Sequence, residues 1–443
     1  MTLTNTNIYL LSLGCAKNLV DSEMLSGIIR LQGCFLTDDP REAQIIIINT
    51  CGFIRAAQEE SIATILDAAS YKDKEHGSCQ LLIVVGCLVE KNRPELAKAI
   101  PEIDLFLGTH EYQRIGELIA AYLNQSPQVL PVNAYLLREL ATPPATAYLK
   151  IAEGCDNWCS YCLIPQLRGR LTSRKPDEII EEAHELLKRG VKELVIIAQD
   201  TTAYGKDFDG TSHLAELLDQ LASMPFTWLR LLYVYPAEID QQLLEVMSAH
   251  DNICHYLDIP LQHADDQILL AMNRRDNQQQ IREKIDMIRR YLPDVALRTT
   301  MMVGFPGEQE THFRRLLRFV ADIRFDWLGA FCFSRQDDTV ASLLPHQVRE
   351  ATKQRRLKQL MELAATISTA HQNSYIGRSQ QILCEGSAAD ELGESWYKGR
   401  SFYQAPDVDG LVYFKANNPI AAGMFVDVKI TAADTYDLIG ELI

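Results

Sequence analysis

AYLKIAEGCDNWCSYCLIPQLRGR, residues 147–170, sets three cysteines within eight positions directly after a strand-like apolar run. Thiolates are soft donors suited to iron-sulfur chemistry. A cubane cluster has four irons, each wanting a ligand, so Cys155, Cys159 and Cys162 leave one iron open. A substrate that chelates this iron through an amine and a carboxylate, as S-adenosylmethionine can, would hold its sulfonium beside an electron source. Reductive cleavage then becomes possible. A structural zinc site would instead be tetrahedral and closed, with a fourth Cys or His at paired spacing. The next such residues, Cys254 and His255, lie about ninety positions downstream.

Working outward, strand-like runs recur at 148–152, 193–198, 228–234, 255–259, 297–303 and 327–333, with helical stretches between them. Six strands alternating with helices predict a full or partial β/α barrel with its active site at the carboxyl ends of the strands. Upstream, runs at 8–13, 45–48 and 81–85 alternate with helix-like stretches at 21–31 and 56–69. That pattern predicts a doubly wound parallel α/β domain. Cys15, Cys51 and Cys87 each stand just after one of these strands, in SLGC, NTCGF and VVGC. In an open α/β sheet the carboxyl ends of strands form the ligand crevice, so three separate segments would bring three sulfurs together. Three ligands again leave an iron free, here for an exogenous sulfur species. Cys34, Cys79, Cys254, Cys332 and Cys384 share no such pattern and read as core or incidental thiols.

The stretch 127–144, rich in Pro, Asn and Thr, reads as a linker. A polar helix is expected over 346–375, and its basic residues Lys353, Arg355, Arg356 and Lys358 read as a solvated face. Beyond Gly377 the runs QQILCEG, DGLVYFK and MFVDVKITAA, broken by Gly, Asn and Pro, predict a small β-barrel. The expected division is therefore 1–126, linker 127–144, core 145–376 and terminal barrel 377–443.

Composition narrows the functional classes. The chain has 443 residues, 47% hydrophobic and 23% charged, too long for one compact domain. Its longest apolar runs fall far short of the roughly 18 to 20 residues of a membrane span. The stretch MTLTNTNIYLLSLGC has neither a basic segment nor a small-residue cleavage site, so a cytoplasmic protein without a secretory signal is expected. Eleven cysteines, an odd number, are better read in a reducing compartment as ligands or core thiols than as disulfides. A formal charge of −16 lacks the basic footprint of a protein that grips nucleic acid through phosphates, and suits a basic partner.

The CxxxCxxC spacing at Cys155, Cys159 and Cys162 resembles the signature of the radical S-adenosylmethionine superfamily. The upstream triad resembles the methylthiotransferase family within it, and the likeness covers nearly the whole chain, including a terminal barrel similar to a TRAM domain. LYVYP at 232–236, YLDIPLQH at 256–263 and VGFPGE at 303–308 fit as well. SLGCAKNLVDSE at 12–23 is similar to the branch acting on ribosomal protein S12, although Ala16 stands where that branch commonly has proline. The transfer-RNA branch typically has GCQMN at the first cysteine.

The resemblance implies two 4Fe-4S clusters and S-adenosylmethionine. One cluster, on Cys155, Cys159 and Cys162, would generate a 5'-deoxyadenosyl radical that takes hydrogen from the β-carbon of an aspartate. Sulfur associated with the cluster of Cys15, Cys51 and Cys87 would be inserted, and a second S-adenosylmethionine would supply the methyl group. A carbon-hydrogen bond of this kind offers no acidity to a general base, so the difficult chemistry falls to the cofactors. Tyr161, Gln199 and Val303 match positions that contact S-adenosylmethionine in the superfamily. The implied partners are ribosomal protein S12 or the small ribosomal subunit, and an electron donor such as flavodoxin or ferredoxin; the sulfur source is unspecified. VGFPGE is not a phosphate loop, since it lacks the Lys and Ser/Thr of one.

The terminal barrel bears on the choice of substrate. From Arg378 to Ile443 it carries ten acidic and five basic residues. An RNA-holding barrel would be expected to carry a positive groove, whereas an acidic one complements a basic ribosomal protein. Trp396 and Tyr403 could face a substrate, with barrel core the competing role. Protein aspartate methylthiotransferase leads, with transfer-RNA adenosine methylthiotransferase and a non-catalytic metal-binding scaffold as alternatives.

Overall fold

A computed structural model of the chain describes residues 6–443. The first five residues, part of the amino-terminal stretch expected to carry no secretory signal, lie outside the described residues. The described chain forms two compact units, one of residues 6–141, 153–156 and 162–185, the other of residues 142–152, 157–161 and 186–443.

The first unit is built on a five-stranded parallel sheet: β1 (Asn7–Ser12), β2 (Phe35–Leu36), β3 (Ile45–Thr50), β4 (Leu81–Gly86) and β5 (Leu105–Leu107), in the order β2-β1-β3-β4-β5. Central strand β3 shows why the sequence folds this way. Its four consecutive isoleucines divide between two cores, Ile45 and Ile47 on one face, Ile46 and Ile48 on the other. A continuous β-branched run buried on both faces is the mark of a parallel sheet covered by helices, each full burial contributing about 1.5–3 kcal/mol. Helices α1 (Ala16–Leu31) and α4 (Ile115–Tyr122) pack on the first face; α2 (Arg55–Ser70) and α3 (Cys87–Ala99) pack on the second.

Helix α1 begins five residues before the expected start at position 21. Asn18, Asp21, Ser22 and Glu23 are polar and break the apolar period, yet all are buried. The 127–144 segment is also tied down. A short turn at Ala134–Leu137 lies so close to Gly27 of α1 that a side chain there would collide with the Leu137 carbonyl. Arg138, 1% exposed, pairs with Glu23 at 2.5 Å and with Glu182. Short helix α5 (Ile164–Leu167) and the first part of α6 (Pro176–Lys188) complete this unit.

The second unit contains six parallel strands paired in sequence order: β6 (Thr146–Lys150), β7 (Glu193–Ile197), β8 (Trp228–Leu231), β9 (Ile253–Asp258), β10 (Ala296–Val303) and β11 (Trp327–Cys332). Among the described residues, strands β6 and β11 have no sheet partner beyond β7 and β10, so this is an open, partial β/α barrel. Helices α7 (Glu310–Ile323) and α8 (Glu350–Asn373) follow. Arg355 and Lys358 on α8 face solvent as expected, whereas Lys353 and Arg356 are buried. Lys353 donates to the Phe333 carbonyl at 2.7 Å and Arg356 to the Glu308 carbonyl at 3.0 Å. Half of the basic cluster is therefore core, because the helix lies over the end of the sheet.

The chain ends in a closed five-stranded barrel of β12 (Ser379–Ser387), β13 (Trp396–Ser401), β14 (Val412–Lys415), β15 (Phe425–Ala433) and β16 (Leu438–Leu442), in the order β12-β13-β14-β16-β15. Its core is Ile382, Cys384, Val412, Phe414, Val428, Ile430 and Leu438. The loop after β13 docks at the amino-terminal ends of the parallel strands. Arg400 donates to Glu193 at 3.0 Å, Arg230 to the same carboxylate at 2.9 Å and to the Phe402 carbonyl at 2.9 Å. Asp409 accepts from Tyr256 at 2.6 Å, and Trp327 donates to the Tyr403 carbonyl at 2.9 Å. Tyr403 thus lies in this docking contact, and Trp396 is half-buried under Lys415.

Among the described residues no helix is long and apolar enough to cross a membrane.

Candidate active site

Cys15, Cys51 and Cys87 sit where β1, β3 and β4 end. Cys15 caps α1 and Cys87 is the first residue of α3, positions where the helix dipole favours a thiolate. Glycines shape both approaches. Gly14 has φ +96°, and a side-chain carbon there would lie 2.8 Å from the Cys51 Cβ; Gly86 has φ +99° with 2.5 Å to Asn49 Oδ1 and 2.6 Å to the Thr50 carbonyl. Only glycine allows this backbone and this closeness.

Asn18 stitches the three strand ends together. Its Nδ2 donates to the Leu13 carbonyl at 2.9 Å and to the Thr50 carbonyl at 3.0 Å, and its Oδ1 stands 4.0 Å from the Cys87 sulfur. Ser61 clasps Cys51, accepting from its N–H at 3.1 Å and donating to its carbonyl at 3.0 Å. Burial raises the Cys51 thiol and pushes Cys87 up to about 11, while the Arg168 charge pulls both back. Each of these two thiols also feels the charge of Cys15. Among the described residues no three ligand-type side chains close on a single-ion position; a cubane instead spreads its thiolates over separate irons. Three sulfurs, two at helix starts, with a cation beside one, suit such a cluster.

The loop carrying Cys155, Cys159 and Cys162 contributes to each unit. In the first, the Cys155 N–H donates to the Gly169 carbonyl at 3.3 Å and the Cys162 sulfur accepts from the Ile164 N–H at 3.4 Å. Leu163 and Leu167 form one apolar cluster with Cys87. The residue after Cys162 therefore packs on a thiol of the upstream triad. In the second unit, the Arg274 guanidinium donates to Cys159 and lies 4.2 Å over the Tyr235 ring. The Ser160 N–H donates to the Met272 carbonyl at 2.9 Å, and Asn157 donates to Asp200 at 2.6 Å. Burial raises the pKa of Asp200, against the bonds from Thr202 and Asn157.

The expected cofactor contacts fall at strand ends in this second unit. Val303 closes β10 and pairs with Cys332, Gln199 follows β7 directly before Asp200, and Tyr161 packs on the cluster of Met272, Phe305 and Phe333. The turn after Val303 is closed from within: Glu308 accepts from the Gly304 and Phe305 amides, the latter at 3.1 Å. Those amides are spent on the protein's own carboxylate, consistent with the reading that VGFPGE is no phosphate loop.

Sequence reasoning missed Asn18, Asp21, Arg168, Arg274 and Asp200. For Asn18 and Asp21 a signal existed, since Cys15, Asn18 and Asp21 recur every three residues and so fall near one face of a helix. For the two arginines nothing local marked them.

Family models match along the chain: Uncharacterized protein family UPF0004 over residues 7–108, the Radical SAM superfamily over 149–320 and the TRAM domain over 376–443. A ribosomal protein uS12 methylthiotransferase RimO from Geotalea uraniireducens is 46% identical, covering 100% of this chain and 99% of that relative. Its namesake from Clostridioides difficile is 44% identical over 98% of each. Among solved structures, the radical S-adenosylmethionine methyltransferase TsrM from Kitasatospora setae aligns with TM-score 0.56 at 13% identity, covering 75% of this chain and 76% of its own; the likeness is one of fold. Full-length identity to such relatives, together with two cysteine triads set at strand ends and in a CxxxCxxC loop, places the chain in the RimO family of radical SAM methylthiotransferases.

Proposed function

We propose that this protein attaches a methylthio group to ribosomal protein uS12, at the β-carbon of an aspartate, consuming one S-adenosylmethionine to initiate the radical and a second as methyl donor. Cys155, Cys159 and Cys162 would hold one 4Fe-4S cluster, and Cys15, Cys51 and Cys87 the other. When bound, the first cluster supplies the electron that cleaves S-adenosylmethionine, and the second supplies an iron position for the sulfur to be transferred.

The chain's own residues position these groups. Arg274 holds the Cys159 sulfur from one side, and the Asn157 to Asp200 bond fixes the loop before it. Tyr161, Gln199 and Val303 would bound the S-adenosylmethionine site at the carboxyl ends of the strands. The observation that carries a two-part reaction is the packing of Leu163, next to Cys162, on Cys87. A radical formed at one thiol set and sulfur held at the other need to act on the same substrate carbon, and this adjacency permits it.

The terminal barrel contributes from a distance. It docks at the amino ends of the strands, and Glu193, its anchor, opens the five-residue strand β7, about 17 Å from the far end that leads to Gln199. Arg400 and Asp409 are withdrawn from the surface by docking. One base and one acid leave together, so the barrel's acidic excess persists. That excess would help attract a basic ribosomal protein rather than line the reaction mouth. Transfer RNA is the disfavoured substrate, and a single-electron donor such as flavodoxin or ferredoxin in the cytoplasm would complete the system. Incubating the anaerobically reconstituted enzyme with S-adenosylmethionine and reductant, with uS12 and transfer RNA in parallel, tests the reading. A mass gain equal to replacement of H by SCH3 is expected on the protein; the same gain on RNA alone would overturn it.

A further inference from the structure

We propose that Arg168 is a positioning residue that sets the reduction potential of the cluster on Cys15, Cys51 and Cys87, an inference that rests on the assignment of those thiols above. Arg168 is 3% exposed, and each of its three guanidinium nitrogens donates a hydrogen bond. Nε donates to the Cys87 sulfur at 3.2 Å; Nη1 donates to Asp21 at 2.6 Å and Glu153 at 3.2 Å; Nη2 donates to Asn18. The bonds at the far end of the fork fix its plane, so the Nε–H points at the sulfur rather than rotating away. Leu163 and Leu167 cover the same sulfur with apolar surface and exclude competing water donors.

Hydrogen bonds to cluster sulfurs and nearby positive charge both stabilise the more negative, reduced cluster and raise its potential. At the buried Cys87 sulfur these effects act at reduced dielectric. Asp21 and Glu153 oppose the guanidinium charge, so the potential depends on their balance. Two substitutions of opposite sign follow. Arg168→Met removes the donor and the cation and should lower the midpoint potential. Asp21→Asn removes a countercharge while keeping a group that can accept from Arg168, and should raise it. A merely structural role would move both variants alike.

The test uses the full chain with Cys155, Cys159 and Cys162 replaced by alanine, reconstituted anaerobically with iron and sulfide, so that only the upstream cluster is titrated. If this parent binds no iron, the assignment of the triad fails, independently of Arg168. If it binds about four irons per chain, EPR-monitored redox titration should place Arg168→Met below the parent and Asp21→Asn above it. Arg168→Lys keeps the charge but not the planar fork, and should shift less than Met in the same direction. Where the Met variant takes up no iron, the Lys and Asn variants decide. Unchanged midpoints at full iron content, or shifts of Arg168→Lys and Asp21→Asn in one direction, would overturn the proposal.

Discussion

Gly86 and Arg274 show how single residues hold thiols in place. A methyl group at Gly86 would meet Asn49 and the Thr50 carbonyl at 2.5 and 2.6 Å, on a backbone with φ +99°. Asn49 in turn donates to the Asn18 carbonyl at 3.0 Å, so the strain passes into the residue that links the strand ends. Gly86→Ala should cost about 1–3 kcal/mol locally and halve the iron content after reconstitution, with S-adenosylmethionine cleavage retained. Full iron content would show that the tight turn is not needed for the triad. Cys159→Ala should do the reverse, abolishing cleavage while the upstream cluster assembles; retained cleavage in that variant would refute the assignment of the loop.

At the scale of elements, the terminal barrel is held by buried charge. Glu193 is fully buried between Arg400 and Arg230. Burial opposes its ionisation, yet the two guanidiniums hold its pKa down at about 2, against 4.5 for a free side chain. A lowered carboxylate pKa gives stability that is complete above the unfolded value and lost as pH falls towards the folded one. The contribution should therefore decline between about pH 4.5 and about pH 2. Glu193→Gln leaves the buried Arg230 guanidinium without its countercharge and Arg400 with Glu385 alone, and should cost about 3–5 kcal/mol at neutral pH. Scanning calorimetry should find it less stable than the wild type at pH 7, with the gap narrowing as pH falls below 4.5. A gap that stays constant would contradict this account of the docking.

The six strands of the second sheet and β1, β3 and β4 of the first were legible because apolar runs specify burial locally, as at Ile45 to Ile48, whereas edge strands β2 and β5, of two and three residues, are too short to leave such a pattern. The start of α1 was not, since Asn18, Asp21 and Glu23 read as surface residues until their partners are known. The buried arginines were illegible for the same reason: Arg168 meets Asp21 across 147 positions and Arg400 meets Glu193 across 207. Arginine is ordinarily exposed, and only the folded chain reveals which one is paired inside.

For the whole molecule, the same separation holds between what can be read from spacing and what depends on folding. The six cysteines follow from position in the sequence, and the supports Asn18 and Ser61 lie near them in it, while Arg168 and Arg274 reach Cys87 and Cys159 from distant segments. In the proposed reaction the two triads have different tasks, radical initiation and sulfur handling, on a chain similar to ribosomal protein uS12 methylthiotransferases. The most direct test is 5'-deoxyadenosine release by the Cys87→Ala variant, assayed anaerobically with S-adenosylmethionine, reductant and uS12, alongside the mass of uS12. We expect cleavage to continue while uS12 gains no methylthio group. Methylthiolated uS12 from this variant, or loss of cleavage while the cluster of Cys155, Cys159 and Cys162 remains intact by EPR, would contradict the division of labour.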